Sequence, residues 1–148
     1  MCSSDLPIAN PTAYSLTIPI TFDALGSDTN KWGAVWVGSP DDRAINGGGL
    51  ATENGYEILM RANGQVSTYR QTAGGTAFLS TLVTPALVAG GTATLKIDVS
   101  PAGLTITRSD TGHTVTYADT THRGPYVYLG RSGLATGLQV SFGAITVT

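Results

Sequence analysis

Apolar and polar residues alternate with a period of two through much of the chain. In Thr94-Leu95-Lys96-Ile97-Asp98-Val99-Ser100 every second side chain is apolar, and the pattern resumes in Leu104-Thr105-Ile106-Thr107-Arg108 after a turn at Pro101-Ala102-Gly103. Alternation of this kind marks a strand buried on one face and wet on the other. Leu95, Ile97, Val99, Leu104 and Ile106 are therefore expected to point inward. After Asp110-Thr111-Gly112 the segment 113–117 continues the meander, with Val115 and Tyr117 on the buried side. Three such strands in succession predict an antiparallel sheet.

The strongest local signal is Tyr56–Ala62, then Asn63-Gly64, then Gln65–Gln71. Asn-Gly between two strand-like runs favours a two-residue type I′ hairpin, because both central residues of that turn need φ > 0. Such a loop sets Ala62 opposite Gln65, Ile58 opposite Tyr69 and Glu57 opposite Arg70. One face would then carry Tyr56, Ile58, Met60 and Tyr69, and the other Glu57, Leu59, Arg61, Val66, Thr68 and Arg70. Further strands are expected at 15–23, 33–38, 76–82, 126–130 and 138–148, between Gly, Pro and Asx clusters. No window carries helical spacing over more than ten residues; the nearest, 84–89, stops at Gly90-Gly91. The expected class is all-β, a sandwich of two antiparallel sheets.

The chain's 148 residues match one domain. The prefix Met1–Leu6 resembles a translated sequencing-library adapter read from a GTG start, as in an environmental assembly, and is set apart from the fold. Residues 7–14, with two prolines, read as a lead-in, and 15–148 as a single sandwich domain. Charged residues make up only 12%, about half the usual share, so uncharged polar groups must carry solubility. A net charge of -2 with scattered basic residues gives no cationic stripe for nucleic acid. No apolar run is long enough for a membrane-spanning helix, and the single Cys2 allows neither an internal disulfide nor a cysteine zinc site.

The order of elements resembles the concanavalin A-like lectin/glucanase jelly roll, in the branch that includes laminin-G-like modules. The likeness rests on the stretch Trp32–Ile58, the strand pair Thr92–Arg108, and the closing run Asp119–Gly130 through Phe142-Gly143-Ala144-Ile145-Thr146-Val147. It implies a jelly-roll sandwich whose final Phe-containing strand pairs back with the first. It also implies adhesion or carbohydrate binding, as in secreted and phage tail proteins, with the domain extracellular or on a virion surface. The Glu-x-Asp-x-Glu triplet of the catalytic glucanases of this fold is absent from the sequence.

Candidate chemistry is sparse. Glycoside hydrolysis generally needs a pair of carboxylates, and Glu57, the best-placed strand acid, is expected to pair with Arg70. His113 and His122 read as solvated loop or strand-edge residues. No nucleophile-elbow, zincin or phosphate-loop motif occurs, so no catalytic residue, metal or cofactor is assigned. Asp41, Asp42 and Asn46, and Asp28 with Asn30, form oxygen-rich loops without a calcium-loop spacing. Aromatic residues at Trp32, Trp36, Tyr56, Tyr69, Tyr126 and Tyr128 offer stacking faces for sugar rings. Trp36, between Val35 and Val37, either fills the core or stands on a platform.

The expected ligand-binding set is Trp36, Tyr69, Arg70, Tyr128 and Arg131, and the expected partner a polysaccharide or cell-surface glycan. The alternatives are a structural phage tail or fibre module that self-associates through its outer faces, and a glycoside hydrolase-like enzyme using Glu57.

Overall fold

A computed structural model describes residues 2–4, 7–41, 54–73, 75–132 and 136–148. Among these, all regular structure is strand. The first sheet, in spatial order, holds β1 (Cys2–Ser4), β10 (Tyr126–Arg131), β3 (Trp32–Ser39), β4 (Gly55–Arg61), β5 (Gln65–Thr72) and β6 (Gly75–Val83). The second holds β11 (Leu138–Phe142), β2 (Tyr14–Leu25), β7 (Gly91–Ser100), β8 (Gly103–Arg108) and β9 (His113–Tyr117), with β12 (Thr146–Val147) also on β2. Every pairing is antiparallel. The result is the two-sheet sandwich that the alternation predicts.

The sheets close on each other through the inward residues of β2 and β7, facing those of β3, β4 and β5. Leu16, Ile18, Ile20, Phe22, Leu95 and Ile97 are fully buried, as are Val35, Ile58, Met60 and Val66. Burying each such side chain contributes roughly 1.5–3 kcal/mol. The inward set expected for the meander holds, with Leu95, Ile97, Val99, Leu104 and Ile106 all in this core and Val115 and Tyr117 packed half-buried against it. Ile8 and Tyr14 also join it, so residues of the lead-in pack on the sandwich.

Two local devices depart from the sequence reading. The 138–148 strand is broken into β11 and β12, both on β2. Pro19 lies opposite the break: its carbonyl accepts from Gly143 N at 2.9 Å, so its nitrogen, which has no hydrogen to give, faces the same edge. The edge strand jogs where the ladder lacks a donor. Phe142 still pairs with Ile20, returning the last strand to the first long one.

The hairpin register is also one residue away from expectation. Ile58 faces Thr68, Glu57 faces Tyr69 and Tyr56 faces Arg70. The reason is the turn. Among the described residues no non-glycine residue has positive φ, whereas Gly64 sits at +90°, and its N–H donates to the Arg61 carbonyl at 3.0 Å. Ala62, Asn63 and Gly64 thus form a three-residue loop, a type I turn closed by a left-handed glycine, rather than the two-residue type I′ turn. A one-residue slip moves one strand's side chains to the other face. Val66 and Thr68 therefore join Tyr56, Ile58 and Met60 on the core side, and Tyr69 joins Glu57 outside.

Gly64 is also hemmed in: a Cβ there would lie 2.2 Å from the Thr84 carbonyl oxygen. At Gly112, φ is +74° but nothing lies within 4 Å of such a Cβ. Gly112→Ala should cost about 1 kcal/mol, the left-handed backbone alone. Gly64→Ala should cost at least about 2 kcal/mol, strain plus collision. Urea denaturation of the two variants reads the difference, and equal losses would refute the crowded turn.

Candidate functional site

The outer face of the first sheet carries a cross-strand row. Because Val35 and Val37 point into the core, Trp36 must point away from it. The register then sets Tyr128 beside Trp36, Trp36 beside Glu57, Glu57 beside Tyr69 and Tyr69 beside Phe78. Five strands in direct register at the usual spacing span about 19 Å. The two readings of Trp36 are thereby resolved: it is outside the sandwich core, yet only 3% exposed, packed with Tyr128 and Tyr126 as a second small apolar cluster.

Trp36 is held from both sides. Its Nε1 donates to the Asn54 carbonyl at 3.1 Å, and Gly55 lies directly beneath, where a Cβ would come within 2.2 Å of Nε1. With φ at +142°, Gly55 has a backbone that few other residues adopt. The Tyr128 hydroxyl donates to the Asp41 carbonyl. Exposure grows along the row: Tyr128 and Trp36 are buried, Tyr69 is half-buried, and Phe78 is 58% exposed. Tyr69 and Phe78 meet with ring centroids 5.3 Å apart and planes tilted by 52°. Trp36 and Tyr128 thus form the buried, fixed end of the row, and Tyr69 and Phe78 its accessible aromatic end.

Glu57 sits between the two ends. It is buried, its Oε2 accepting from Gln71 Nε2 at 3.1 Å, while Gln71 Oε1 accepts from the Thr76 hydroxyl. Burial raises its carboxyl above the ordinary 4.5, a rise that the Gln71 hydrogen bond and the Arg61 charge only partly oppose. Among the described strand residues of this face Glu57 is the only acid. The expected Glu57–Arg70 ion pair does not form, because the shifted register puts Arg70 on the other face.

Arg70 instead donates from Nη1 to Asp119 Oδ2 at 2.7 Å. Asp119 Oδ1 also accepts from the Tyr56 hydroxyl at 2.6 Å and from Thr121 N at 3.0 Å. Burial alone would raise this carboxyl, but the hydrogen bonds from Tyr56, Thr121 and Arg70 win and hold it well below the ordinary 3.8. His122 is not the solvated residue expected. Its ring meets Tyr56 edge-on at 5.4 Å and its Nε2 is buried with no hydrogen-bond partner among the described residues; desolvation lowers its pKa, opposed only in part by the Gln71 backbone and the Asp119 charge. This network ties the segment between β9 and β10 across one end of the sandwich.

Of the five expected site residues, the structure brings together Trp36, Tyr69 and Tyr128. Arg70 belongs to the end clamp, and Arg131 lies at the exposed end of β10 on the opposite parity to Tyr128. Glu57, Gln71 and Phe78 join the face without having been assigned to it. Phe78 lies two residues from Thr76 in the expected strand 76–82, a period-two signal that sets both on one face without saying which. Only the bulge between Thr68 and Tyr69 aligns it with Tyr69, and nothing in the sequence announces that bulge. Asp28 Oδ1 accepts from Asn30 N at 2.9 Å, an Asx turn. Asp42, Asn46 and the glycines at 47–49 lie outside the described residues. Among the described residues no cluster of His, Cys, Asp or Glu could hold a metal, and no helix is long and apolar enough to cross a membrane.

No protein-family model and no curated protein matches the sequence. The fold is found in solved structures. Carbohydrate-binding module CBM66 from Bacillus subtilis superposes with a TM-score of 0.68 at 16% identity, over 96% of this chain and 78% of that one. The Ca2+/Man-bound exoplasmic/lumenal domain of VIP36 gives 0.73 at 11% identity, over 99% and 71%. Alginate lyase A1-II′ gives 0.62 at 12% identity, over 98% and 65%. The chain has the concanavalin A-like jelly-roll fold, as the order of its elements implies. That fold serves both binding and catalysis, so it names no function by itself.

The two perturbed carboxyls predict opposite pH effects. Asp119, depressed, stabilises the fold above about pH 4 and that contribution is lost as pH falls toward its folded value. Glu57, raised, costs stability as pH climbs from 4.5 through its folded value, where the unfolded chain ionises first. Denaturation curves from about pH 2 to pH 8 should show the loss below about pH 4 reduced in Asp119→Asn and the loss that sets in above 4.5 removed in Glu57→Gln. Unchanged profiles would show that these carboxyls sit elsewhere.

Proposed function

We propose that this chain is a non-catalytic carbohydrate-binding module that seats a polysaccharide or cell-surface glycan on the outer face of its first sheet. The observation that carries the reading is the cross-strand row. It offers Tyr69 and Phe78 as an accessible aromatic surface, backed by the immobilised Trp36 and Tyr128. Sugar rings present apolar faces that stack on such rings, and their hydroxyls need hydrogen-bonding groups alongside. Thr76, exposed on the same face as Phe78, supplies a hydroxyl at that position, and the buried Gln71 and Glu57 behind it hold its orientation. A side chain fixed before the ligand arrives loses little entropy on binding, which favours a row anchored in this way.

CBM66 is a carbohydrate-binding module and VIP36 is solved with mannose, so the fold's use in sugar binding supports the reading. Among the described strand residues of this face Glu57 is the only carboxyl, which favours binding over hydrolysis, a reaction that calls for an acid and a second carboxylate. A glycan ligand agrees with placement outside the cell or on a virion surface.

The test is retention on a panel of insoluble polysaccharides and a glycan array, followed by titration calorimetry on the best ligand. Tyr69→Ala and Phe78→Ala should each weaken binding about tenfold, the worth of one aromatic stacking contact. Thr107→Ala, on the outer face of the other sheet, should leave it unchanged. No retention of any glycan, or full binding by both aromatic variants, would refute the proposal.

A further inference from the structure

Gln71 stands in the middle of a hydrogen-bond relay whose direction its neighbours dictate. On the outer face the register sets Gly55 on one side of it and Thr76 on the other. Gly55 has no side chain to meet the amide. Gln71 leans instead to its diagonal neighbour on β4, and its Nε2 donates to Glu57 Oε2 at 3.1 Å. Its Oε1 accepts from the Thr76 hydroxyl. Glu57 and Gln71 are buried, whereas Thr76 is exposed on the same face as Phe78. One end of the relay is closed off and the other is presented to a ligand.

Chemistry gives this relay a single sense. An ionised carboxylate has no proton to donate and can only accept. Gln71 must turn its NH2 toward Glu57, because its carbonyl oxygen there would set two acceptors against each other where little water reaches. The amide oxygen then faces Thr76, and the Thr76 proton is taken up by it. What Thr76 Oγ1 keeps for a ligand is lone pairs. A hydroxyl that ordinarily rotates to suit either kind of partner is held as an acceptor. Arg61, the basic residue of this face on β4, is turned away to the Asn30 carbonyl.

We infer that Glu57 is a positioning residue that, acting through Gln71, fixes Thr76 Oγ1 as an acceptor and so selects glycans that bring it a donor over chains that bring it a carboxylate. The selectivity rests on the glycan reading above and narrows it to uncharged chains, whose hydroxyl and amide N–H groups can donate. A uronate carboxylate at Thr76 meets lone pairs and, behind them, the Glu57 charge. Protonating Glu57 reverses the relay. The neutral carboxyl donates to Gln71 Oε1, the amide turns over about its terminal torsion, and Nε2 donates to Thr76, whose own proton then points outward. The groups that face Glu57 are Trp36 from β3, Tyr69 and Gln71 from β5, and the charge of Arg61 from its own strand.

Two measurements keep the relay apart from the binding reading. Without ligand, the Thr76 methyl resonance should titrate with the same midpoint as the Glu57 carboxyl carbon, above 4.5, and stay flat in Glu57→Gln. With ligand, titration calorimetry at about pH 8, above the ordinary carboxylate range, compares the best-retained uncharged oligosaccharide with the same chain oxidised to carboxylates at its primary alcohols. The wild type should prefer the uncharged chain about tenfold, the worth of one hydrogen bond. Thr76→Val keeps the shape and the Glu57 charge but should lose most of that preference, as should Glu57→Gln, whereas Thr76→Ser should retain it. A Thr76 methyl that ignores the Glu57 titration, a Thr76→Val variant as selective as the wild type, or tighter binding of the oxidised chain would each overturn the inference with glycan binding intact. A titrating Thr76 with neither chain retained would leave the relay standing and sink the selectivity together with the binding reading.

Discussion

Everything else is suspended from the contact between β2 and the centre of the opposite sheet. Leu16, Ile18, Ile20 and Phe22 interlock with Val35, Ile58, Met60 and Val66, all without solvent exposure. That contact decides which residues of β3, β4 and β5 look inward, and so decides by exclusion which look out. Trp36, Glu57 and Tyr69 share a face because their neighbours along each strand are committed to the core.

The two outer faces answer the low charge of the chain differently. On the second sheet, threonines pair across strands: Thr105 with Thr116, Thr107 with Thr114, and Thr21 with Thr92, at 3.1, 3.0 and 2.7 Å. Such hydroxyl pairs satisfy one another and stiffen a wet β surface at little cost. On the first sheet the outer face is instead largely buried or aromatic, with Leu59 at 5% and Glu57 at 3% exposure. One outer face is finished with paired hydroxyls, the other with aromatic and buried side chains.

How much of this could be read from the residues alone depended on range. Period-two alternation located the meander and its inward set, since that signal lies in the strand itself. The Asn63-Gly64 hairpin was found but its register was not, because Asn63 does not take positive φ and the loop takes in Ala62. That single residue moved Arg70 out of the site and left Tyr69 beside Glu57. The bulge that aligns Phe78 and the clamp on Asp119 are long-range, Arg70 and Asp119 being 49 residues apart. No local pattern encodes them. Trp36 shows the same limit: alternation left two faces open, and only the burial of Val35 and Val37 chose.

Tyr56 and Glu57 are consecutive. The first anchors the end clamp by its hydroxyl, and the second holds the middle of the aromatic row. One peptide plane therefore joins the segment crossing the end of the sandwich to the opposite surface of the sheet. Since that plane is hydrogen-bonded within β3, β4 and β5, the clamp and the row keep a fixed spacing and orientation through the thickness of the sheet.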